Sequence, residues 1–295
     1  GCEYASIFNG LGCKVDLVNP GVELLSYLDD EICDALSYHL RSLGVMIRHN
    51  ETFESLQTSD KQVILNLQSG KILKGDIFLW ANGRAGNTEN LNLANAGLTA
   101  NKRGQLEVNN RYQTEQNHIY AVGDVAGPYQ FTHAASHQAW YAAVNALFGR
   151  FKSFKADYSI IPWATFTDPE VARVGVSENE AKARGIVYEV TRYGLNDLDR
   201  AIADEAAHGF VKVLTIPGKD RILGATIVGE HASDLLAEFV LAMKHGLGLN
   251  KILGTIHTYP TWSEANKYAA GEWKRAHAPQ FLLKWVEKYH DKRRG

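Results

Sequence analysis

The pattern of hydrophobic and polar residues in the first 75 positions predicts a helix, a strand, a second helix and a set of short strands. The first helix is predicted over residues 2–11 and the strand over residues 14–18. The second helix is predicted from Asp29 to about Leu43, because apolar residues recur there at helical spacing and Gly44 follows as a C-cap. The short strands are predicted at residues 45–48, 51–55, 62–67 and 71–74. This order is typical of an α/β nucleotide-binding domain.

Two apolar runs, at residues 76–81 and 119–125, are predicted to be buried strands. The first ends at Asn82-Gly83-Arg84, and the second closes on Gly123 and Asp124. Open α/β sheets bind ligands at the carboxyl ends of their strands, and glycine lets a ligand approach the backbone closely. An aspartate there can accept a hydrogen bond from a sugar or polyol hydroxyl. A strand followed by an ordinary turn is the equally favoured alternative.

A helix is predicted just after the second run, over residues 133–147. Thr132 is the expected N-cap, and Gly149 ends the helix. The amino end of a helix carries a partial positive charge and N–H groups without intrahelical partners, so it can face a negatively charged ligand oxygen. The alternative is a packing helix in a βα unit.

From Ile161 onward the pattern is that of an α+β domain, in which a sheet precedes helices. Strands are predicted at the start, around the turn at Asp168-Pro169-Glu170. Ser177 and Glu180 form a capping-box pattern before a short helix. A three-strand antiparallel meander is predicted over residues 187–228, and helical segments follow to about Tyr289. A domain boundary is expected near residues 155–160.

Composition narrows the possible functions and partners. The chain has 295 residues, 22% of them charged, and a formal net charge of −2, so nothing indicates nucleic acid or an anionic membrane as a partner. No apolar run reaches the ~18 residues needed to span a bilayer, and no secretory signal pattern is visible. Cys2, Cys13 and Cys33 match neither a disulfide framework nor a CxxC metal motif, which favours a reducing cytoplasm.

One histidine pair has a spacing that two ligands of a metal ion can have. His133 and His137 lie one helical turn apart, which permits metal binding. No third ligand is evident beside them, so packing is the favoured interpretation and no metal site is predicted.

These motifs together resemble the FAD-dependent pyridine nucleotide–disulfide oxidoreductases over the whole chain. Gly1-Cys2-Glu3 looks like the last glycine of the nicotinamide GxGxxG motif and the acid that follows it. On this resemblance the first strand and the first two glycines would precede residue 1. The remaining matches are Ala81–Arg84, Ile119–Val125, Phe131-Thr132-His133 and the dimerisation-domain start at residues 161–175.

The resemblance implies a fold and a division into domains. The fold would be α/β, a partial flavoprotein with two dinucleotide-binding domains followed by an α+β dimerisation domain. Residues 1–84 would be a partial NAD(P)-binding domain lacking its first strand. Residues 85–158 would be the C-terminal part of the FAD-binding domain, and residues 159–295 would form the homodimer and carry a helical tail.

The resemblance also implies the binding residues for FAD and NAD(P). Asp124 would bind the ribityl chain, and the helix beginning near Thr132 would face the flavin. The cofactor-binding residues are expected to be Gly1, Glu3, Asn19, Gly83, Arg84, Gly123, Asp124, Thr132, His133 and Ala134. Asn19 ends the second strand of the NAD(P) site. An acid at this position favours NAD, and a nearby arginine favours NADP. Asparagine is neither, so the choice between NAD and NADP stays open.

The sequence around Tyr259 bears on the reaction. Disulfide reductases of this family carry a histidine directly before Pro-Thr and a glutamate five residues later. Here Tyr259 occupies the histidine position and Glu264 is retained. A tyrosine with an ordinary pKa of about 10 is a poor base near neutral pH, so thiol chemistry is doubtful. His257 is two residues away, and a shift of that size moves a side chain by several ångström. This argues against His257 taking the role of the histidine that Tyr259 replaces.

We therefore expect a portion of a flavoenzyme that passes hydride from NADPH through FAD to NAD+. Residues 1–127 look most like family members with that activity, whereas the part beyond Tyr129 is equally similar to mercuric-reductase-like members. Tyr259 and Glu264 are the expected catalytic residues, reaching the flavin of the partner subunit. A mercuric-reductase-like or dihydrolipoyl-dehydrogenase-like reductase is the alternative enzyme. A truncated, inactive fragment that only dimerises or binds nucleotide is the alternative of another class.

Overall fold

A computed structural model describes residues 1–59 and 62–294. The α-helices in these ranges are α1 (Cys2–Gly10), α2 (Asp30–Ser42), α3 (Thr132–Phe148), α4 (Glu178–Ala183), α5 (Asp199–Ala203), α6 (Ala232–Lys244), α7 (Leu249–Leu253), α8 (Glu264–Ala276) and α9 (Gln280–Arg294). The β-strands are β1 (Asp16–Val18), β2 (Met46–Arg48), β3 (Phe53–Ser59), β4 (Gln62–Leu67), β5 (Ile72–Gly75), β6 (Pro162–Thr165), β7 (Glu170–Gly175), β8 (Glu189–Gly194), β9 (Phe210–Thr215) and β10 (Ile222–Gly229). The mixed α/β class expected from the sequence is confirmed.

The amino-terminal region is a βαβ arrangement with an antiparallel meander after it. β1 and β2 pair in parallel, and α2 makes the crossover between them. The periodic apolar residues of α2 explain this packing, because Leu36 and Leu40 are fully buried against Cys2 and Ala5 of α1. β3, β4 and β5 then form a separate three-stranded sheet.

The carboxyl-terminal region is built on a five-stranded antiparallel sheet in the order β6-β7-β10-β9-β8. The meander predicted over residues 187–228 is confirmed as β8, β9 and β10. The predicted capping box is also present, since the Ser177 side chain accepts a hydrogen bond from the backbone N–H of Glu180 and the Glu180 side chain accepts one from the Ser177 N–H. β9 has every residue buried, so this strand lies in the core of the sheet.

Helix α2 joins these two regions into one compact unit. Leu28, Ile32 and Cys33 pack against Val171, Phe210 and Val228 of the five-stranded sheet. Residues Gly1–Leu79 and Pro162–Gly295 accordingly form one unit, and residues Trp80–Ile161 form the other. The second unit has its own small apolar core around Leu98, Leu106 and Ala121.

Lys212 adds a buried ionic link inside the first unit. Its side chain is 1% exposed, and its Nζ lies 2.7 Å from Asp29 Oδ2, 2.6 Å from Glu31 Oε1 and 2.9 Å from Glu178 Oε1. Burial acts to lower the Lys212 pKa, but the hydrogen bonds that Lys212 donates to these carboxylates outweigh it and raise that pKa. The Asp29 carboxylate also accepts the backbone N–H groups of Glu178 and Asn179 at the start of α4. A charge that is this well paired is tolerated in the interior.

Both apolar runs that were predicted to be buried strands differ in the structure. Residues 76–81 form no strand, and Ile77 is largely exposed. Residues 119–125 contribute only an isolated bridge from Tyr120 to Gln113 and a 3-10 turn at Gly123–Val125. An apolar run becomes a strand only when a neighbouring strand satisfies its backbone groups, and neither run has one among the described residues.

Smaller differences occur at helix ends. The N-cap of α3 is Phe131 and not Thr132, which is the first residue of the helix.

Helix α9 buries no side chain, although it carries Phe281, Trp285 and other apolar residues. Across residues 1–59 and 62–294 there is no helix with both the length and the apolar character required to cross a bilayer.

Candidate functional site

The Gly123–Val125 turn in the second unit has the backbone geometry of a close-approach site. Gly123 has φ of +75°, which side chains disfavour, and a Cβ added to it would lie 3.3 Å from the Cβ of Ala135 in the first turn of α3. This turn and the amino end of α3 are therefore in contact. The combination of Gly123, Asp124 and the first turn of α3 expected from the sequence is present within this unit.

A buried chain of hydrogen bonds fixes this turn, and the sequence reasoning missed it. The Gly123 N–H donates to Oε1 of Gln138 at 2.6 Å, and Gln138 is fully buried. Gln138 Nε2 donates to the Tyr158 hydroxyl at 2.9 Å, which lies 3.3 Å from the Tyr112 hydroxyl. Burial raises the pKa of Tyr112, so its hydroxyl remains protonated. The available signal was a polar residue on the buried stripe of α3, between Ala134 and Ala142.

The Asp124 carboxylate is available to a ligand. Its backbone carbonyl accepts a hydrogen bond from Gln105 Nε2 at 3.4 Å, and no hydrogen bond from a described residue reaches its side chain. In the first turn of α3, Thr132 and His133 are exposed, whereas Ala134 is buried. The His133 ring lies 5.2 Å from the Phe131 ring with their planes 10° apart. A hydroxyl-bearing chain could bind at Asp124 while an anionic group binds the N–H groups of the helix.

Gly83 and Arg84 lie on an exposed segment of the same unit. Gly83 has φ of +143°, and a Cβ there would meet nothing within 4 Å. Arg84 Nη1 donates to the backbone carbonyl of Gln130 at 3.3 Å, just before the α3 start. This contact ties the 82–84 segment to the loop that leads into α3.

The amino end of α1, in the first unit, is held in place by its own side chains. Gly1 is the N-cap, and a Cβ on it would lie 3.6 Å from Leu17 of β1. Glu3 Oε1 accepts the backbone N–H of Phe166 at 2.9 Å, and Ser6 Oγ accepts that of Asp168 at 3.1 Å. Glu3 thus has one oxygen committed to the protein and one available.

Asn19 organises the loop after β1. Its Nδ2 donates to the carbonyls of Gly21 and Glu23, both at 2.9 Å, and lies 3.4 Å from His49 Nδ1. The amide nitrogen is therefore occupied by the loop. Only Oδ1 remains to accept a hydrogen bond from a ribose hydroxyl.

Tyr259 is 65% exposed and has a partner that the sequence did not suggest. Its hydroxyl donates to Asp199 Oδ2 at 3.0 Å. The hydrogen bond to Asp199 and the charge of that carboxylate raise the pKa of Tyr259. The hydroxyl is consequently a hydrogen-bond donor and an even poorer base than an ordinary tyrosine.

Glu264 is buried and does not hydrogen-bond to Tyr259. Its Oε2 accepts the Thr261 N–H at 3.3 Å, and its Oε1 accepts the Tyr268 hydroxyl at 3.2 Å. Burial, and then the charge of Glu264, raise the pKa of Tyr268. Glu264 thus shapes the loop before α8 and lacks the partner expected for a general acid/base pair.

His257 is held by hydrogen bonds to residues other than Tyr259 and Glu264. Its Nε2 lies 3.1 Å from Glu238 Oε1, its Nδ1 lies 3.0 Å from the Thr255 carbonyl, and its side chain is 6% exposed. Asn266 donates to the same Glu238 carboxylate at 2.9 Å. A ring that is buried and bonded at both nitrogens does not replace the missing histidine.

Two family models match the chain. The pyridine nucleotide-disulphide oxidoreductase model matches residues 1–139. The dimerisation domain of the same family matches residues 161–270. The two matches follow the order expected from the motifs.

Curated relatives agree with the family models. The chain is 45% identical over 273 residues to the soluble pyridine nucleotide transhydrogenase of Marinobacter nauticus and 44% identical to that of Hahella chejuensis. Each alignment covers 92% of this chain and 58% of the relative. The chain therefore spans less than two thirds of the length of these relatives.

Two solved structures have a similar fold. LpdA from Mycobacterium tuberculosis superposes with a TM-score of 0.84 at 25% identity, covering 91% of this chain and 58% of that one. The HOCl-induced flavoprotein disulfide reductase RclA from Escherichia coli gives 0.85 at 28% identity, covering 91% and 61%. From the motifs, both family models and these relatives, the chain belongs to the pyridine nucleotide-disulphide oxidoreductase family.

Proposed function

We propose that this chain carries part of an enzyme that passes hydride from NADPH through FAD to NAD+. The observation that carries the proposal is the state of Tyr259, whose hydroxyl donates to Asp199 and whose pKa is raised. A disulfide reductase needs a base for thiol chemistry at this position. Hydride exchange between nucleotides needs none, and the similar proteins named above are transhydrogenases.

The residues of the second unit fit a flavin. A crowded glycine with positive φ, a carboxylate to which no described residue donates a hydrogen bond, and the first turn of α3 together suit a polyol chain that ends in an electron-poor ring. Asp124 would bind the ribityl hydroxyls, and Gly123 would allow the backbone to approach. Thr132, His133 and Ala134 would stabilise negative charge with their N–H groups, and Gly83 and Arg84 would border the site. When bound, FAD supplies the redox chemistry.

The residues of the first unit fit a nicotinamide nucleotide. Gly1 would let the nucleotide approach the protein backbone at the start of α1. The free oxygen of Glu3 would accept a hydrogen bond from the nicotinamide carboxamide. Asn19 Oδ1 would accept a hydrogen bond from a ribose hydroxyl. A neutral amide does not repel a 2′-phosphate, which supports use of both NAD and NADP.

Quaternary structure and location belong to the same proposal. Residues 159–295 would form the homodimer, and the exposed Ile256 and Tyr259 would lie at its interface. Tyr259 would then reach the partner's flavin, and Glu264 would hold the loop that carries it. We assign residues 1–84, 85–158 and 159–295 to the three family domains. Three free cysteines suit a reducing cytoplasm.

A comparison of acceptors tests the proposal. The intact protein is supplied with NADPH and either thio-NAD+ or lipoamide, and both rates are followed by absorbance. We expect rapid reduction of thio-NAD+ and little reduction of lipoamide. Comparable lipoamide reduction would overturn the inference from Tyr259.

Cofactor binding is tested separately by the Asp124→Ala variant. We expect a lower flavin-to-protein ratio than in the unchanged protein, because the ribityl hydroxyls lose their acceptor. Glu107→Ala, an exposed acid of the same unit, is the matched control and should keep its flavin. A colourless unchanged protein that takes up no FAD would support an inactive fragment, and unchanged flavin content in Asp124→Ala would refute the role of Asp124.

A further inference from the structure

Three side chains from distant parts of the first unit converge near the carboxyl end of α2. His39 lies in α2, Asp168 lies in the turn between β6 and β7, and His208 lies two residues before the start of β9. One potential ligand atom from each of the three lies within 4.8 Å of the other two. None of these residues takes part in the nucleotide and flavin sites described above.

The separation of His39 and Asp168 matches two ligands of one ion. His39 Nε2 lies 3.6 Å from Asp168 Oδ1, which is too long for a hydrogen bond. Two ligand atoms held about 2.1 Å from a tetrahedral ion lie about 3.4 Å apart. A shift of a few tenths of an ångström would therefore bring these two atoms to the separation of two ligands of one ion.

The ring centres of the two imidazoles are also separated by a distance that fits a shared ion. The ring centres of His39 and His208 are 5.1 Å apart, with their planes 18° apart. When two imidazoles bind one tetrahedral ion, each ring centre lies about 3.2 Å from the metal, so the centres lie about 5 Å apart. The observed separation agrees with that value.

Both rings also carry a nitrogen whose hydrogen-bonding capacity is not used. Nε2 of His39 and Nε2 of His208 are buried and have no hydrogen-bond partner among the described residues. A buried polar atom without a partner costs about 1–3 kcal/mol, and most such atoms in proteins are satisfied.

The surroundings hold this cluster in place and leave one side open. The Asp168 backbone N–H donates to Ser6 Oγ of α1, and the Thr167 hydroxyl donates to the Pro169 carbonyl at 2.7 Å. Leu40, next to His39, is fully buried and fixes α2. The Asp168 side chain is 64% exposed, so an ion and water can reach the cluster. Rigid supports of this kind are what a metal site requires.

We propose that His39, Asp168 and His208 bind a divalent ion of the zinc class, with water completing a tetrahedral shell. Two imidazoles and one carboxylate are borderline ligands that suit Zn²⁺ and its neighbours better than Mg²⁺ or Ca²⁺. The bound ion would cross-link α2 to the five-stranded sheet at the β6–β7 turn and the start of β9. It would thereby stabilise the first unit.

Metal binding to the intact protein and its variants tests this proposal. The protein is stripped with EDTA and dialysed against Zn²⁺ at a pH above about 7, where imidazole is neutral. The variants are His39→Ala, His208→Ala and Asp168→Asn. His245→Ala, an exposed histidine of the same unit, is the matched control.

We expect His39→Ala and His208→Ala each to bind one Zn²⁺ fewer per chain, with affinity at this site reduced about 100-fold or more, and Asp168→Asn to lose about tenfold. The control should bind as the unchanged protein does. Because any one variant could disturb folding, circular dichroism is recorded for each, and the second histidine variant provides an independent test.

Spectroscopy and heating give two further readouts. Co²⁺ in the unchanged protein should show the visible absorption of a four-coordinate ion, and this absorption should be missing from the histidine variants. Zn²⁺ should raise the unfolding temperature of the unchanged protein but not of His208→Ala. Equal Zn²⁺ stoichiometry and affinity in all variants, or no binding by the unchanged protein below about 100 μM, would overturn the proposal.

Discussion

Removing the buried ammonium of Lys212 should destabilise the first unit strongly. The change Lys212→Met keeps a similar volume but leaves three carboxylates without their shared cation. The side chains of Glu31 and Glu178 are 41% and 24% exposed, so water can solvate them and each pairing contributes at most about 1 kcal/mol. Asp29 is different, because its side chain is only 5% exposed.

The size of the effect therefore depends on Asp29. Stranding a buried charge costs about 3–5 kcal/mol. Asp29 keeps two backbone N–H donors at the start of α4, which places the expected loss near the lower limit, about 3 kcal/mol. The double variant Lys212→Met/Asp29→Asn should recover part of the loss, because the stranded charge is removed as well.

Native-state hydrogen exchange of the β9 amides measures this loss directly. The amides of Val211 and Val213 are suitable because both residues are fully buried, and local exchange does not require the two units to unfold together. Lys219→Met, in the exposed β9–β10 turn, is the matched control and should change the opening free energy by less than about 0.5 kcal/mol. A Lys212→Met effect as small as that of the control would refute the reasoning.

The pH dependence follows from the signs of the two pKa shifts. Burial acts to raise the Asp29 pKa, but the hydrogen bonds from Lys212 and the α4 backbone outweigh it and lower that pKa below its usual 3.8. Its stabilising effect is thus present above about pH 4 and is lost as the pH falls further. The raised Lys212 pKa means that its contribution is lost only as the pH rises well above its usual 10.5. The difference between Lys212→Met and the unchanged protein should therefore be constant from about pH 5 to 9.

Three further changes test other parts of the account. Gln138→Leu leaves the Gly123 N–H unpaired, so it should lower the stability of the second unit by about 1–3 kcal/mol. It should also reduce the flavin-to-protein ratio. Ser136→Ala, at an exposed position of the same helix, is the control and should change neither quantity. Tyr259→Phe should slow transhydrogenation less than about threefold, because the Tyr259 hydroxyl acts only as a hydrogen-bond donor. A loss of about 100-fold, the effect expected when a catalytic acid or base is removed, would contradict this assignment. Ile256→Asp should raise the dissociation constant of the dimer at least about 100-fold, because each copy loses about 1.5–3 kcal/mol of apolar burial free energy. Light scattering measures the change, and an unchanged mass at low concentration would exclude Ile256 from the interface.

The parts of the fold that could be predicted from sequence are those governed by local chemistry. The apolar periodicity of α2 and the Ser177–Glu180 capping box depend on residues a few positions apart, and both are present. Residues 76–81 have the composition of a buried strand, but strand formation depends on a partner that composition does not reveal. The same reason applies to residues 119–125.

The candidate site shows the same division. Gly123 and Asp124 could be recognised because the motif is contiguous. The partners of Gln138 and Tyr259 could not, because Gly123 lies 15 positions from Gln138 and Asp199 lies 60 from Tyr259. The cluster of His39, Asp168 and His208 depends on tertiary convergence alone. In each case the informative property is a distance in space, which no spacing along the chain encodes.

Anaerobic absorbance spectroscopy of the intact protein tests the central claim most directly. NADPH is added first, and NAD+ is added after excess NADPH has been removed. We expect NADPH to bleach the yellow flavin absorbance and NAD+ then to restore it. A flavin that NADPH does not bleach, or one that lipoamide restores and NAD+ does not, would contradict hydride transfer between the two nucleotides.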